Sequence, residues 1–329
     1  MLRPPKMTFQ GLTRPLHTRP VAALLVGPTA VGKTEISLQL AQRLGAEIVS
    51  VDSRLFYRGM DIGTAKPSLG ERARIAHHLI DIADPDQTLS LTEFQRLAHD
   101  AINAIVGRAK LPLLVGGTGQ YVRAVTAGWI PPSVPPNAAL RTELARMASH
   151  RGEQWLHQKL EQLDPGAAAT IEARNARRTM RALEVILSTG RRFSGQRGHG
   201  ESRYDLIVIG LRRPRADLYA RIDARIETMF ERGLLQETNR LLHQGYSADL
   251  PALSAIGYMQ CVRAIRGELD LEQAKADIRR ATRAFVRRQS NWFKESDPNI
   301  QWFDAAQQGV VDAIEISIKQ ATLAGLEPN

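Results

Sequence analysis

Apolar positions along the chain fall into two periods. Ala22–Val26, Glu47–Val51 and Leu111–Val115 are short, nearly continuous apolar runs, as buried parallel strands require, and a fourth run, Leu206–Leu211, comes much later. Between the first three the period lengthens. Ile36, Leu40 and Leu44 recur every four residues and Gly45 closes that helix, while Ser90 with Glu93 reads as a capping box before a helix expected to reach about Gly107. Strands alternating with helices predict an α/β fold: a doubly wound parallel sheet with helices on both faces.

The alternation stops near residue 130. Pro131, Pro132, Pro135 and Pro136 read as a hinge, and from Ala138 to Gly190 the pattern is helical only, with Asp164-Pro165 marking a helix start. Leu206–Leu211 then resumes the sheet, and most of the chain after residue 215 reads as helix. The simplest organisation is a core of residues 21–130 and 204–329 interrupted by a helical insertion, 131–203. Residues 1–20 hold Arg3, Lys6, Arg14 and Arg19, four prolines and no acid, and are expected to be a disordered basic tail without the apolar stretch of a secretory signal.

Candidate chemistry begins after the first strand. Gly27, Pro28, Thr29, Ala30, Val31, Gly32, Lys33 and Thr34 match G-x-x-x-x-G-K-[ST], between a predicted strand and a predicted helix. Such a loop wraps an anion with backbone N–H groups at a helix N-terminus; Lys33 adds a full charge and the Thr34 hydroxyl suits Mg²⁺. The core is therefore expected to be P-loop NTPase-like. The motif specifies a polyphosphate but not ATP, since a diphosphate ester presents the same chemistry.

Ligands of open α/β sheets bind at the carboxyl ends of strands. The second strand ends in Asp52-Ser53, and a carboxylate there is a candidate general base or indirect metal ligand, or else a cap for the turn that follows. The third ends in Gly116-Gly117-Thr118-Gly119, where an ATPase would carry a magnesium-binding acid; the small residues are expected to leave room for a bulky group. Asp61 to Pro67 reads as a polar loop, and the adjacent His77-His78 would point to opposite faces of a strand, so they read as structural.

Charge adds a partner class. With 44 Lys+Arg against 34 Asp+Glu the net charge is +10, which favours a polyanion. On a helical wheel over residues 278–294, Arg279, Arg280, Arg283, Arg287 and Lys294 share one arc opposite Ile278, Ala281, Phe285, Trp292 and Phe293, which points to phosphate-backbone contact. Gln289 falls on the apolar arc, either reaching into the active site or satisfying a buried backbone group. Arg174, Arg177, Arg178 and Arg181 form a second basic cluster, and Arg221 with Arg225, four apart on a helix over 218–230, would meet either a diphosphate or nearby acids. The single cysteine, Cys261, excludes an intramolecular disulfide and is expected to be buried and inert. No apolar run approaches the roughly 18 residues of a membrane span. The lone cysteine fits a reducing compartment, and a cytoplasmic protein is expected; a monomer is expected as well.

Several segments together carry a resemblance: GPTAVGKT at 27–34, VDSRLFYRGMDIGTAKP at 51–67, HHLID at 77–81, GGTGQY at 116–121, RTMRALEV at 178–185, SAIGYMQ at 254–260 and TRAFVRRQSNWFK at 282–294. In this order they resemble the tRNA dimethylallyltransferase (isopentenyltransferase) family, of bacterial type. The resemblance implies transfer of a dimethylallyl group from dimethylallyl diphosphate, with Mg²⁺, to N6 of the adenosine 3′ of the anticodon. By motif position it makes Asp52 the general base, and gives Thr29, Lys33, Thr34 and Arg225 the diphosphate. It further implies tRNA contacts by Asp52, Ser53, Arg54 and Leu55; by Gly117 and Thr118; and by Arg177, Arg178, Thr179, Met180 and Arg181. The remaining implied contacts are Ser254, Ala255, Ile256, Gly257, Tyr258 and Met259, then Arg287, Arg288, Gln289, Ser290, Asn291, Trp292, Phe293 and Lys294. The chain departs from the family pattern at Arg174-Asn175, at Val286 and Arg287, and at Asn291. Two other readings remain: an ATP-dependent nucleotide or small-molecule kinase, which leaves the basic insertion unexplained, and a non-catalytic RNA-binding protein, which leaves the phosphate loop and Asp52 idle.

Overall fold

In the computed structural model, described residues are 19–130, 132, 134–196, 198–199 and 201–324. The expectation for the basic tail, apart from Arg19 and Pro20, and Pro131 of the proposed hinge lie outside them. In chain order the elements are β1 (Val21–Val26), α1 (Lys33–Leu44), β2 (Glu47–Ser50), α2 (Leu69–Arg74), β3 (His77–His78), α3 (Leu91–Gly107), β4 (Pro112–Val115), α4 (Gly119–Thr126) and β5 (Trp129–Ile130). Then come α5 (Ala138–Arg151), α6 (Glu153–Leu163), α7 (Pro165–Ala168), α8 (Ala176–Thr189), β6 (Gly198–His199) and β7 (Asp205–Arg212). The chain finishes with α9 (Arg215–Glu231), α10 (Leu234–His243), α11 (Tyr258–Ile265), α12 (Leu271–Gln289), β8 (Gln301–Asp304) and α13 (Val310–Ala324).

Six strands form one parallel sheet in the order β3-β2-β4-β1-β7-β8. Because successive side chains of a strand point to opposite faces, β1 splits its apolar run: Ala23 and Leu25 join a core beneath α1, α9 and α13, while Ala22, Leu24 and Val26 join one beneath α3 and α4. Helices on both faces are why the central strands read as unbroken apolar runs. The two edge strands escaped the sequence pattern for the converse reason. β3 is two histidines and β8 is Gln-Trp-Phe-Asp, each half-open to solvent and under less demand for apolar residues. His77 and His78 are structural: Nδ1 of His77 lies 2.7 Å from the Ile75 carbonyl oxygen, and Nε2 of His78 lies 2.7 Å from Glu47 Oε2.

Helices α5 to α8 pack on a core of their own around Leu144, Leu156, Leu160, Ala182 and Leu183. Asp164 caps α7 as its sequence position implies, accepting from Ala167 N–H at 3.0 Å and also from the Ser194 N–H and hydroxyl, both at 2.7 Å. Fully buried Glu184 on α8 is clasped by both Arg141 nitrogens (2.8 and 2.9 Å), by Arg181 (2.6 Å) and by the Asn137 N–H (2.7 Å). Burial opposes its ionisation, but the two guanidiniums prevail and hold its pKa at about 2. β5 and β6 pair antiparallel where the chain leaves and re-enters the core.

Two helix expectations need adjustment. Ser90 caps α3 through the Glu93 N–H at 3.1 Å, but complete reciprocal boxes form at Ser68–Glu71 and Asp270–Gln273. The basic helix ends at Gln289, so Trp292, Phe293 and Lys294 lie beyond it and do not belong on its wheel.

Candidate active site

The phosphate loop turns at the carboxyl end of β1, in the middle of the sheet. Gly27 is required by space: a Cβ there would lie 2.7 Å from the Leu211 carbonyl oxygen of the adjacent β7. Gly32 takes φ +113°, a conformation glycine adopts without strain, and opens α1. The loop is braced through its carbonyls. Arg213 Nε donates to the Val31 carbonyl at 2.9 Å and Arg221 Nε to the Ala30 carbonyl at 2.8 Å. Lys33 Nζ donates to the Gly27 and Pro28 carbonyls at 2.8 and 2.9 Å. These bonds tie the carbonyls of Gly27, Pro28, Ala30 and Val31 to protein cations.

A cleft of about 450 Å³ opens over the loop, lined by Thr29, Gly32, Lys33 and Thr34 on one side and by Asp52, Leu55, Thr64 and Ala65 on another. Gly116, Ala224, Arg225 and Thr228 complete its walls. Burial pulls the Lys33 ammonium down to about 8; the Asp52 carboxylate opposes that shift and Arg225 reinforces it. Burial also lowers Arg225, again against Asp52. Asp52 is thus in electrostatic reach of both cations. It also caps the 3-10 turn Ser53–Phe56, accepting from the Arg54 N–H at 3.1 Å, and the Thr118 hydroxyl stands 3.5 Å from it. The cap and the cleft-facing role coexist in one side chain.

Arg221 and Arg225 line the cleft, whereas Asp223 and Glu227, two residues further along α9 in each case, face α12. There Arg283 pairs with Asp223 at 2.7 Å, and Arg279 and Lys275 pair with Glu227. Arg280 pairs with Asp277 on its own helix. Three members of the predicted cationic arc are therefore engaged within the protein, two of them by acids on a neighbouring helix that the wheel could not show and one by Asp277 just before the wheel begins. Arg287, Arg288 and Lys294 remain exposed.

Gly116 borders the cleft, yet space for a side chain at Gly116, Gly117 and Gly119 is taken up by protein. A Cβ on Gly116 would come within 2.6 Å of Val51 Cγ2, one on Gly117 within 2.5 Å of Gln289 Nε2, and one on Gly119 within 2.2 Å of the Trp292 ring. Glycine here permits close packing against the end of β2, the last residue of α12 and the segment that follows it.

The segments expected at tRNA divide by exposure. Arg177, Arg178, Ser254, Met259, Arg287, Arg288, Ser290, Asn291, Trp292 and Lys294 reach solvent, and Ser53, Arg54, Leu55, Thr118 and Met180 do so in part. Trp292 carries Arg123 over its ring at 5.1 Å. Others are buried or held by contacts within the protein. Thr179 is fully buried in the helical unit and Ala255, Gly257 and Gly117 are buried in the core region. Tyr258 is fully buried, donating from its hydroxyl to Glu237 at 2.6 Å and accepting from the Gly63 N–H at 3.2 Å. Gln289 is buried against backbone, Arg181 is held by Glu184 and the Val134 carbonyl, and Ile256 and Phe293 pack on the two sheet cores. A periodic pattern marks a residue as inward or outward only when the partner is known.

Sequence reasoning missed Arg213 and Glu237. Glu237, buried on α10, accepts from the N–H groups of Asp61 and Ile62 at 3.1 Å and so fixes the loop that carries Thr64 and Ala65 into the cleft. A lone Glu in a helix gives no sign that the successive N–H groups of Asp61, Ile62 and Gly63 converge on it.

A cationic, glycine-lined cradle and a carboxylate share one cleft at the carboxyl edge of a parallel sheet, which is the layout of a group-transfer enzyme acting on a phosphate-bearing substrate. The IPP transferase family model matches residues 55–296, and an isopentenyl transferase model matches residues 20–82. The tRNA dimethylallyltransferase of Roseiflexus sp. (strain RS-1) is 48% identical over 91% of this chain and 96% of its own, and that of Chloroflexus aggregans is 50% identical over 84% and 93%. Among solved structures, the tRNA isopentenylpyrophosphate transferase of Bacillus halodurans superposes with a TM-score of 0.70 at 39% identity, covering 93% of this chain and 98% of that one. A eukaryotic dimethylallyltransferase acting on tRNA shares the fold, with a TM-score of 0.79 at 24% identity, over 94% and 80% of the two chains. The chain belongs to the IPP transferase family.

Proposed function

We propose that the protein transfers a dimethylallyl group from dimethylallyl diphosphate to the exocyclic N6 of the adenosine immediately 3′ of the tRNA anticodon. N6 attacks the allylic carbon, the carbon–oxygen bond to diphosphate breaks with its electron pair leaving on the diphosphate, and the N6 proton passes to the Asp52 carboxylate. Lys33, Arg225 and Thr29 hold the diphosphate and stabilise the charge that develops on it, in a site where partial burial strengthens each interaction. Thr34, at the first turn of α1 and on the cleft wall, fits a Mg²⁺ held mainly by diphosphate oxygens and water, since this ion commonly takes only one or two protein ligands. When bound, the ion neutralises diphosphate charge.

The adenosine must leave its stack to reach the strand edge. Arg177 and Arg178 on the helical unit and Arg287 and Arg288 on the core are exposed cations suited to the anticodon stem-loop backbone. On this reading residues 131–203 form the tRNA-gripping unit, and the protein works as a cytoplasmic monomer. Among the described residues no helix is long and apolar enough to cross a membrane.

The observation that carries the proposal is that Asp52 lies in the same cleft as the cationic cradle, close enough to influence both Lys33 and Arg225. The kinase alternative lacks an acid after β4, where Gly116 and Gly117 stand. The test combines protein, dimethylallyl diphosphate, Mg²⁺ and an unmodified anticodon stem-loop, with mass spectrometry of the RNA. One added prenyl group on adenosine is expected. ATP turnover with no RNA product would favour the kinase.

A further inference from the structure

Gln289 is the last residue of α12 and only 5% exposed, although Arg287 and Arg288 just before it are in solvent. A buried primary amide must place both a carbonyl and an NH₂ group. Here each goes to the backbone of a different site loop. Oε1 accepts from the Thr29 N–H at 2.8 Å, and Nε2 donates to the Gly117 carbonyl at 3.1 Å. Thr29 belongs to the cradle, and Gly117 precedes Thr118, whose hydroxyl stands 3.5 Å from Asp52. Absence of a side chain at Gly117 is what lets the amide approach. Helix α12 is itself pinned by Arg279 and Arg283 to α9, which carries Arg225 into the cleft. One helix thus inserts its terminal side chain between the donor cradle and the turn beside the base.

We propose that Gln289 is a positioning residue for prenyl transfer, setting the spacing between Thr29 and Asp52 rather than contacting RNA. The inference rests on the reaction proposed above. An amide is suited to this because it offers an acceptor and a donor at the two ends of one planar group. Among side chains of equal length only a protonated glutamic acid reproduces that pairing. An ionised one keeps the bond to Thr29 but sets an oxygen against the Gly117 carbonyl.

Three chains are compared: wild type, Gln289→Met and Gln289→Glu. Gln289→Met loses both bonds at similar volume. Its kcat should fall about 100-fold, the scale of a small misplacement of reacting groups, while its Kd for the stem-loop stays near wild type. Gln289→Glu should recover toward wild-type kcat as pH falls to about 6, because burial favours the neutral carboxyl, and should drop to the Gln289→Met rate in alkali. Lys33, Asp52 and Arg225 are common to all three chains, so the ratio of Gln289→Glu to wild type isolates the introduced group. If Gln289→Met is too unstable to assay, the pH dependence of that ratio decides alone. A normal kcat in Gln289→Met, a ratio flat with pH, or a loss confined to RNA affinity would overturn the inference. Transfer by wild type and variants alike removes this inference alone; no transfer even by wild type removes the reaction and the inference with it.

Discussion

Lys33 gives the proposed donor site a pH signature that can be worked through. Its ammonium is brought from the ordinary 10.5 to about 8, chiefly by burial. Below that pH the donor-free enzyme carries the charge; above it the lysine is neutral, and a bound diphosphate must restore the proton. Donor Kd should therefore be flat up to about pH 8 and then rise roughly tenfold per pH unit toward about pH 10, the linkage slope for uptake of one proton. Titration calorimetry with a non-reactive dimethylallyl diphosphate analogue, in buffers of different ionisation heat, would show proton uptake approaching one per site at about pH 9. In Lys33→Met the donor should bind more weakly at neutral pH and with no such slope. The stability term has the opposite sense, because the folded pKa lies below the unfolded one. The charged lysine costs the donor-free fold about 2 kcal/mol below pH 8, with an allowance for partial solvent access, and that cost is relieved as pH rises toward 10.5. Relative to Lys33→Met, donor-free wild type should gain stability over that window. A donor affinity that stays level from neutral pH to about pH 10 would refute the claim that Lys33 is a desolvated diphosphate ligand.

Two further outcomes follow from the same geometry. Glu184→Ala should destabilise the helical unit by about 3–5 kcal/mol, because Arg141 and Arg181 lose a buried counter-charge, read as loss of its helical signal in thermal melts. In wild type the Glu184 contribution is fully present above its unfolded pKa of 4.5 and is lost as pH falls toward about 2. Arg287→Ala with Arg288→Ala should weaken stem-loop binding and reduce the salt slope by about 2, one for each phosphate no longer neutralised, whereas Arg283→Ala, whose partner is Asp223, should leave that slope unchanged.

Much of the fold was legible because the central strands are buried on both faces and had to be apolar. The phosphate loop was legible because its glycines and lysine answer to local backbone chemistry. The edge strands β3 and β8 were not, since exposure loosens the demand on their residues. The basic face of α12 was misjudged because whether an arginine meets RNA or a carboxylate depends on another helix, and Asp223 and Glu227 lie 48 to 60 residues from their partners. Gly116, Gly117 and Gly119 suggested an open space, but their small size serves Val51, Gln289 and Trp292, residues that fold onto them from elsewhere in the chain. Tyr258 and Thr179 sit in motif-like segments but are themselves fully buried, which the motif alone does not reveal.

The most direct measurement is the single-turnover rate of Asp52→Ala with saturating donor and stem-loop, set beside its stem-loop affinity. A rate reduced to near background with affinity close to wild type is the predicted pair, since a missing base leaves docking intact. A rate near wild type, or a loss explained by affinity alone, would contradict the assignment of Asp52 as the group that takes the N6 proton.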